Sequence, residues 1–369
     1  MLIGIDGNEA NVDKRVGIGE YAFELLKQFE RFTIYDLRFT IYLKNRPLGH
    51  MPKEREGWKY RVIGPKKMWT QFALPFDLYF GAKRPKIFFT PSHYGPRFSP
   101  VPAVISIMDL SFIRFPELFA KKDLYQLKAW TKYSAKNAKK IFTISEFSKN
   151  DIIKEYKVES KDVVVTYPGI KQELSIWNKV LSMDELKKKF GIDKEYILFV
   201  GTLQPRKNIE KLIEAFSKLD KDILLIVVGK KGWLYEDILK APQKFRISEK
   251  VKFLDFVSDK ELQGLYKNAL CFVLPSLYEG FGLPILEAMK NGCPVLTSNV
   301  SSLPEAGGDA ALYFDPENAD EISKTIKKVI EDKGLRDEMI RKGYAQVKKF
   351  SWEKTARETL KVLQDLGVK

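Results

Sequence analysis

Arg206 and Lys207 stand side by side in the turn Gly201-Thr202-Leu203-Gln204-Pro205-Arg206-Lys207-Asn208, which follows an apolar strand pattern and opens a helical one. Two adjacent cations at a helix N-terminus can bind an anion, because unpaired N–H groups and the helix dipole add to their charge. The turn lacks the G-x-x-x-x-G-K-[ST] spacing of a Walker loop. A solvated basic turn is the plainer alternative in a lysine-rich chain. A second turn, Pro275 to Glu287, also follows an apolar strand. There Gly280 and Gly282 let backbone N–H groups approach a ligand, and Pro284 suits the first turn of a helix. Glu279 precedes that helix and Glu287 lies a turn inside it. Two carboxylates so spaced could accept hydrogen bonds from hydroxyls about a sugar nucleotide's length apart; a cap-like Glu279 and a surface Glu287 are the alternative. A third glycine turn, Asp6 to Asn11 and then Gly17-Ile18-Gly19-Glu20-Tyr21, is longer than a dinucleotide fingerprint, and a flexible entry turn explains it equally well.

Ligands of open parallel sheets bind beyond the carboxyl ends of strands, so these turns require such a sheet behind them. Strand patterns run over Leu2–Ile5, Thr40–Leu43, Tyr60–Ile63, Lys86–Thr90, Val104–Ile107 and Lys140–Ile144, with helical patterns at Glu20–Phe32, Asp123–Asn137 and Glu146–Tyr156 between them. After Val163–Thr166 and the turn Tyr167-Pro168-Gly169, the alternation restarts. A helix Met183–Phe190 carries Ser182 and Glu185 in capping-box spacing and Gly191 as its stop. Strand patterns follow at Tyr196–Val200, Ile223–Val228, Val251–Leu254, Cys271–Leu274 and Pro294–Thr297, with helices Ile209–Leu219 and Asp259–Asn268 among them. From Glu321 onward the pattern is helical, broken at Phe350-Ser351-Trp352, with Ser351 as N-cap of a last helix Trp352–Leu366. The expected fold is α/β, two doubly wound Rossmann-like domains.

The 369-residue length suits two domains, and a 44% hydrophobic, 30% charged composition excludes a disordered chain. Cys271 and Cys293 form no CxxC pair and cannot build a zinc cage with His50 and His93, so buried thiols in a reducing cytoplasm are expected. No secretory signal or membrane span is visible. A net charge of +15 points to an anionic partner: nucleic acid, a phosphate-rich small molecule or an anionic membrane face. The lysines are scattered, without a nucleic-acid reader motif, which disfavours the first.

At EGFGLPILE, Glu279 to Glu287, the chain resembles the E-x7-E signature of the retaining nucleotide-sugar glycosyltransferases of family 4, which have the GT-B fold. GIGEYAFELL at Gly17, ISEFSKNDI at Ile144, VVVTYPGI at Val163, FVGTLQPRKNIEKLIEAF at Phe199 and SNVSSLPEAGGDAALYFDP at Ser298 extend the likeness over nearly the whole chain. The PRKN form and the last segment look most like the mannosyltransferase branch that builds bacterial surface polysaccharides. The resemblance implies two domains facing a cleft: an acceptor domain at 1–168, with the C-terminal helix 351–369 crossing back onto it, and a donor domain at 169–350. It implies that Arg206 and Lys207 neutralise the donor diphosphate, with Gly201 and Thr202 beside them. Glu279 with Gly280, Phe281, Gly282 and Leu283 would hold the donor sugar and phosphate, Glu287 the ribose, and Phe256 and Val257 the base. Gly17 and Gly19 would lie across the cleft. The family often has Arg at Thr202, and a His-Asp pair where this chain has Met108-Asp109. That leaves Asp109, and His93 in PSHYGP, as polar candidates of the first domain; a loop residue near the cleft mouth is the other reading of His93.

The implied reaction moves a hexose, best read as mannose from GDP-mannose, to a glycan or lipid-linked glycan, at the cytoplasmic side of a membrane. The leaving diphosphate needs charge stabilisation, which Arg206, Lys207 and the helix after Gly282 can supply without a metal. The triplet Asp220-Lys221-Asp222 reads as solvated surface, so no metal site and no further cofactor is expected. Other GT-B activities remain as alternatives: a UDP- or ADP-sugar glucosyltransferase, a nucleotide-sugar epimerase, or a glycan phosphorylase. The segment Trp58-Lys59-Tyr60-Arg61 and Lys66-Lys67-Met68-Trp69-Thr70-Gln71-Phe72 interleaves cations with aromatics; either it meets an anionic membrane or its rings enter the first domain's core.

Overall fold

The computed structural model describes residues 1–15, 17–32, 37–170 and 180–368, and the chain divides into two compact units, Met1–Gly169 with Phe350–Lys369, and Ile170–Lys349. Residues 171–179 of the expected second domain and Lys369 of the last helix lie outside the described residues. In the first unit the strands are β1 (Leu2–Asp6), β2 (Arg38–Leu43), β3 (Trp58–Val62), β4 (Ile87–Thr90), β5 (Ala103–Ser106), β6 (Lys140–Thr143) and β7 (Val163–Val165). Their order is β3-β2-β1-β4-β5-β6-β7, parallel throughout. The second unit has β8 (Tyr196–Val200), β9 (Leu224–Val228), β10 (Val251–Leu254), β11 (Cys271–Leu274), β12 (Val295–Ser298) and β13 (Ala311–Phe314), ordered β10-β9-β8-β11-β12-β13 and again parallel.

Parallel strands covered by helices on both faces have no solvent side, so they read as unbroken apolar runs. β9, LLIVV, is buried at every position. The helix Met183–Phe190 begins with the capping box of Ser182 and Glu185 and stops at Gly191 in the left-handed region, φ 63°. Ser351 accepts the amide of Lys354 and starts the helix Trp352–Val368. That helix supplies Trp352, Ala356, Leu360 and Leu363 to the apolar cluster formed by β1, β2, β4 and the helix Ile18–Arg31. The Thr355 hydroxyl also donates to the Tyr167 carbonyl at 2.6 Å, inside the same unit. At Gly169 an added Cβ would meet the Trp352 amide nitrogen at 2.0 Å, so only glycine lets these segments lie so close.

Both cysteines are buried, and burial pushes the Cys271 thiol up to about 12. β13 and the helices Ala73–Phe80 and Glu236–Lys244 extend the pattern expected from sequence. The membrane reading of the 58–72 segment is corrected at its two largest rings. Trp58 lies in the β3 row that faces the core, and Trp69 packs with Tyr42, Leu74, Leu78 and Phe88 while its indole N–H donates to the Ile63 carbonyl. Burial of the ring with its N–H satisfied is worth more than leaving it in water. Lys59, Lys66 and Lys67 remain exposed.

Candidate functional site

The second sheet reverses its direction of growth between β8 and β11: β9 and β10 extend one way, and β11, β12 and β13 the other. Loops leaving the carboxyl ends of two strands at such a switch diverge to opposite faces and leave a crevice between them. The turn 201–208 follows β8 and the turn 275–282 follows β11. The two are joined directly, since Leu277 donates its amide to the Arg206 carbonyl at 2.9 Å.

Glu279 is the centre of this arrangement. One carboxylate oxygen accepts from the Lys207 ammonium at 2.5 Å and from the Ser276 hydroxyl at 2.7 Å. The other accepts from the Arg206 guanidinium at 3.0 Å. Its backbone is held as firmly: the amide donates to the Ser301 hydroxyl at 3.1 Å, and the carbonyl accepts from Ser302 at 2.8 Å. Arg206 also reaches the Tyr278 carbonyl. Glu279 and Lys207 are both buried. Burial pushes the Glu279 carboxyl up, but attraction to Lys207 and Arg206, with the hydrogen bonds of Lys207 and Ser276, outweighs it and brings the group down to about 2. The carboxylate is therefore ionised at any physiological pH and acts as a hydrogen-bond acceptor alone. Two cations against one carboxylate leave this corner with a formal charge of +1.

Gly282 opens the helix Leu283–Lys290 at φ 108°, in the left-handed region where a side chain is strained, and an added Cβ would press on Leu303 at 3.0 Å. The first turn of that helix, with Pro284 in it, lies beside Glu279 in sequence and carries the positive end of its dipole. Phe281 is buried and Leu283 half-buried. Glu287 sits a turn into the helix, half-buried, and accepts the hydroxyl of the buried Tyr266 at 3.3 Å. Phe256, just beyond β10, is exposed, with the Lys230 ammonium 5.9 Å from its ring centre, whereas Val257 is buried. Gly201 takes a hydrogen bond path back to β9 through the Val228 carbonyl, and Thr202 is exposed beside it. The solvated basic turn is thus excluded for Lys207. Asp220 and Asp222 are exposed, with Asp222 paired to Lys194.

In the first unit β1 and β4 flank the corresponding switch point. Gly17, exposed at φ 49°, opens the helix Ile18–Arg31, and a Cβ on buried Gly19 would press on the Glu9 carbonyl at 2.9 Å. His93 follows β4, with its ring 4.2 Å from Tyr94 and 6.3 Å from Phe112. Burial pushes its imidazole down to about 4, against the pull of Asp109. Asp109 accepts the Ser111 amide at 2.8 Å and so shapes the start of the short helix Ser111–Arg114. Met108 packs against the apolar cluster under β1. Sequence reasoning did not assign roles to Ser276, Ser301, Ser302 or Tyr266. Ser276 lies in the loop after β11, whereas Ser301 and Ser302 fall in the mostly polar run 298–302 that leaves β12, the strand next to β11, and nothing local to any of the three marks Glu279 as its partner.

The family model for glycosyl transferases group 1 matches residues 182–346. The chain is 35% identical over 262 residues to O-antigen chain mannosyltransferase B of Escherichia coli, covering 70% of this chain and 69% of that one. It is 33% identical over 223 residues to the serotype-specific mannosyltransferase WbdA of the same species, 58% of this chain but about a quarter (27%) of the length of WbdA. A sucrose-phosphate synthase from Thermosynechococcus elongatus superposes with a TM-score of 0.75 at 17% identity, covering 99% of this chain and 98% of that one, which is a likeness of fold, the GT-B fold.

Proposed function

The chain belongs to the glycosyl transferases of group 1, and from that premise we propose that it transfers mannose, from GDP-mannose, to a glycan or lipid-linked glycan during cell-surface polysaccharide synthesis, with retention of anomeric configuration. The observation that carries this reading is Glu279 held by Lys207, Arg206 and Ser276 where β8 and β11 diverge. The names of the mannosyltransferase relatives support the choice of sugar.

In the reaction, the bond between the anomeric carbon and the diphosphate oxygen breaks, and a bond from the acceptor oxygen to that carbon forms. The acceptor proton passes to a phosphate oxygen of the departing nucleoside diphosphate, so no strong protein base is needed. Charge grows on the diphosphate as the bond breaks. Arg206 and Lys207, preorganised beside the helix after Gly282, stabilise it electrostatically. Glu279 holds a hydroxyl of the donor sugar. A carboxylate this weakly basic, with both oxygens engaged by cations, is a poor nucleophile, which favours the holding role over a covalent glycosyl-enzyme. Glu287, steadied by Tyr266, binds the ribose, and Gly280, Phe281, Gly282, Leu283, Gly201 and Thr202 line the donor's phosphates and sugar. Phe256 and Val257 meet the base. Gly17, Gly19, His93 and Asp109 serve the acceptor side.

The test is a thermal-shift panel of nucleoside diphosphates and their sugars, followed by nucleotide-release assays with a mannan-type acceptor. A ligand that binds only the folded protein raises its melting temperature. Selective stabilisation by GDP and GDP-mannose, with α-linked product by NMR, is expected. A preference for UDP or ADP would replace the donor, β-linked product would remove retention, and release of sugar phosphate would point to a phosphorylase.

A further inference from the structure

The helix Ala73–Phe80 turns one face inward and another to water. Ala73, Leu74 and Leu78 pack with Trp69, Tyr42, Phe88 and Val101. On the other side Phe72, Phe76 and Phe80, spaced i, i+4 and i+8, are 60%, 67% and 74% exposed. Met68 and Tyr79 are exposed beside them. The rings of Phe76 and Phe80 lie 4.9 Å apart and those of Tyr79 and Phe80 6.1 Å, so these three adjoin, and Phe72 stands one helical turn before Phe76. Single exposed rings are ordinary on a soluble surface, but a group of adjoining ones marks an interaction site.

The charges around the patch indicate the partner. Between residues 58 and 86 there are seven lysines or arginines and one acid, Asp77. That acid is already neutralised, because the Arg61 guanidinium holds both of its oxygens, at 2.5 and 2.7 Å. Lys66 and Lys67, in the segment that leads into the helix, and Lys83, just after it, are exposed, and Arg84 donates to the Tyr79 carbonyl. An apolar aromatic face rimmed by cations matches the two layers of an anionic bilayer surface: rings at the acyl boundary and ammonium groups at the headgroups. We propose that this face, Phe72-Phe76-Phe80 with Lys66, Lys67 and Lys83, docks the first unit onto an anionic lipid surface. The inference concerns a surface outside the proposed donor site, and its test does not depend on sugar transfer.

The experiment is co-sedimentation of the full chain with phosphatidylglycerol-containing vesicles and with pure phosphatidylcholine vesicles, over a series of salt concentrations. The wild-type protein is expected to pellet with the anionic vesicles, to be released as salt rises, and to stay in solution with the neutral ones. Phe72→Ser, Phe76→Ser and Phe80→Ser together should lower partitioning at least tenfold. Lys66→Glu, Lys67→Glu and Lys83→Glu together, at exposed positions outside the core, should lower it by roughly a hundredfold, since each cation near an anionic leaflet contributes about fivefold before reversal. The proposal is overturned if the wild type ignores anionic vesicles at low salt, or if both triple variants bind as it does. It is equally overturned if the phenylalanine variant converts a dimer to a monomer and leaves vesicle binding unchanged.

Discussion

The Lys207 ammonium and the Glu279 carboxylate meet at 2.5 Å with both side chains buried, although 72 residues separate them in the chain. The pair ties the loop after β8 to the loop after β11, so the contact that holds the two loops together is also the one the proposed diphosphate site would draw on.

Removing either cation should therefore have two effects. Lys207→Ala and Arg206→Ala are each expected to lower turnover roughly a hundredfold or more, as loss of one preorganised charge-stabilising donor does. Lys207→Ala should also cost about 3–5 kcal/mol of stability, because it strips a buried carboxylate of a partner. Combining Lys207→Met with Glu279→Gln should return much of that stability without returning activity. Melting temperatures beside steady-state rates check this; near wild-type rates in both single variants would remove the diphosphate role.

The two carboxylates should separate by ligand. Glu287→Ala is expected to weaken free nucleoside diphosphate and intact donor together. Glu279→Ala should spare the free nucleotide and damage sugar transfer. Tyr266→Phe, which removes only the hydroxyl donated to Glu287, should shift nucleotide affinity in the direction of Glu287→Ala by a smaller amount, about 0.5–1.5 kcal/mol. Calorimetric titration of each variant with both ligands makes the comparison, and equal losses throughout would contradict the assignment.

Acid stability should fall in two windows. The Glu279 carboxyl is lowered in the folded chain from 4.5 to about 2, so its contribution is complete above pH 4.5 and is lost as pH falls towards 2. The displacement is worth about 3 kcal/mol. The His93 imidazole is lowered from 6.5 to about 4, so the unfolded chain takes up that proton first and stability declines as pH drops from 6.5 to 4. Glu279→Gln should flatten the lower window and His93→Asn the upper one in urea denaturation across pH. Unchanged profiles would show that these groups do not carry the dependence.

On the proposal that Arg206 and Lys207 face the leaving group, transfer is expected to persist in excess chelator at a rate within a few-fold of that without it. The assay is nucleotide release after dialysis against EDTA. An absolute need for magnesium or manganese would mean that the charge stabilisation lies elsewhere.

Much of the architecture was legible because parallel strands and capped helices leave local signatures. The helices Glu146–Tyr156 and Asp259–Asn268 and the strands β8, β10 and β11 have the bounds their patterns indicate. Arg206, Lys207 and Glu279 stand out because glycine-rich turns after apolar strands are few. Their partners did not, since a serine carries no local sign of what its hydroxyl will meet: Ser276 donates to the Glu279 carboxylate and Ser302 to the Glu279 backbone carbonyl. The same limit governs the 58–72 segment. In β3 the alternation of Trp58 and Tyr60 with Lys59 and Arg61 is that of a strand with one face inward, yet in composition it is indistinguishable from an aromatic and basic surface cluster. The Phe72, Phe76 and Phe80 spacing is helical, but Pro75 inside the run obscures it until the helix is seen.

The helix Trp352–Val368, in the C-terminal stretch Phe350–Lys369, completes the core of a unit whose remainder is Met1–Gly169. On the ribosome the first unit therefore emerges first and is finished last. The 180 residues of the second unit, Ile170–Lys349, form an uninterrupted stretch that can fold as soon as it emerges. At ordinary elongation speeds of about 5–20 residues per second, roughly ten to forty seconds pass between exit of the two parts of the first unit. During that time the cluster under β1 and β4 lacks Trp352, Ala356, Leu360 and Leu363 and exposes the apolar surface they will cover. A stop codon near position 350 would then strike the N-terminal half of the protein, and chaperone dependence during synthesis should track the first unit rather than the second.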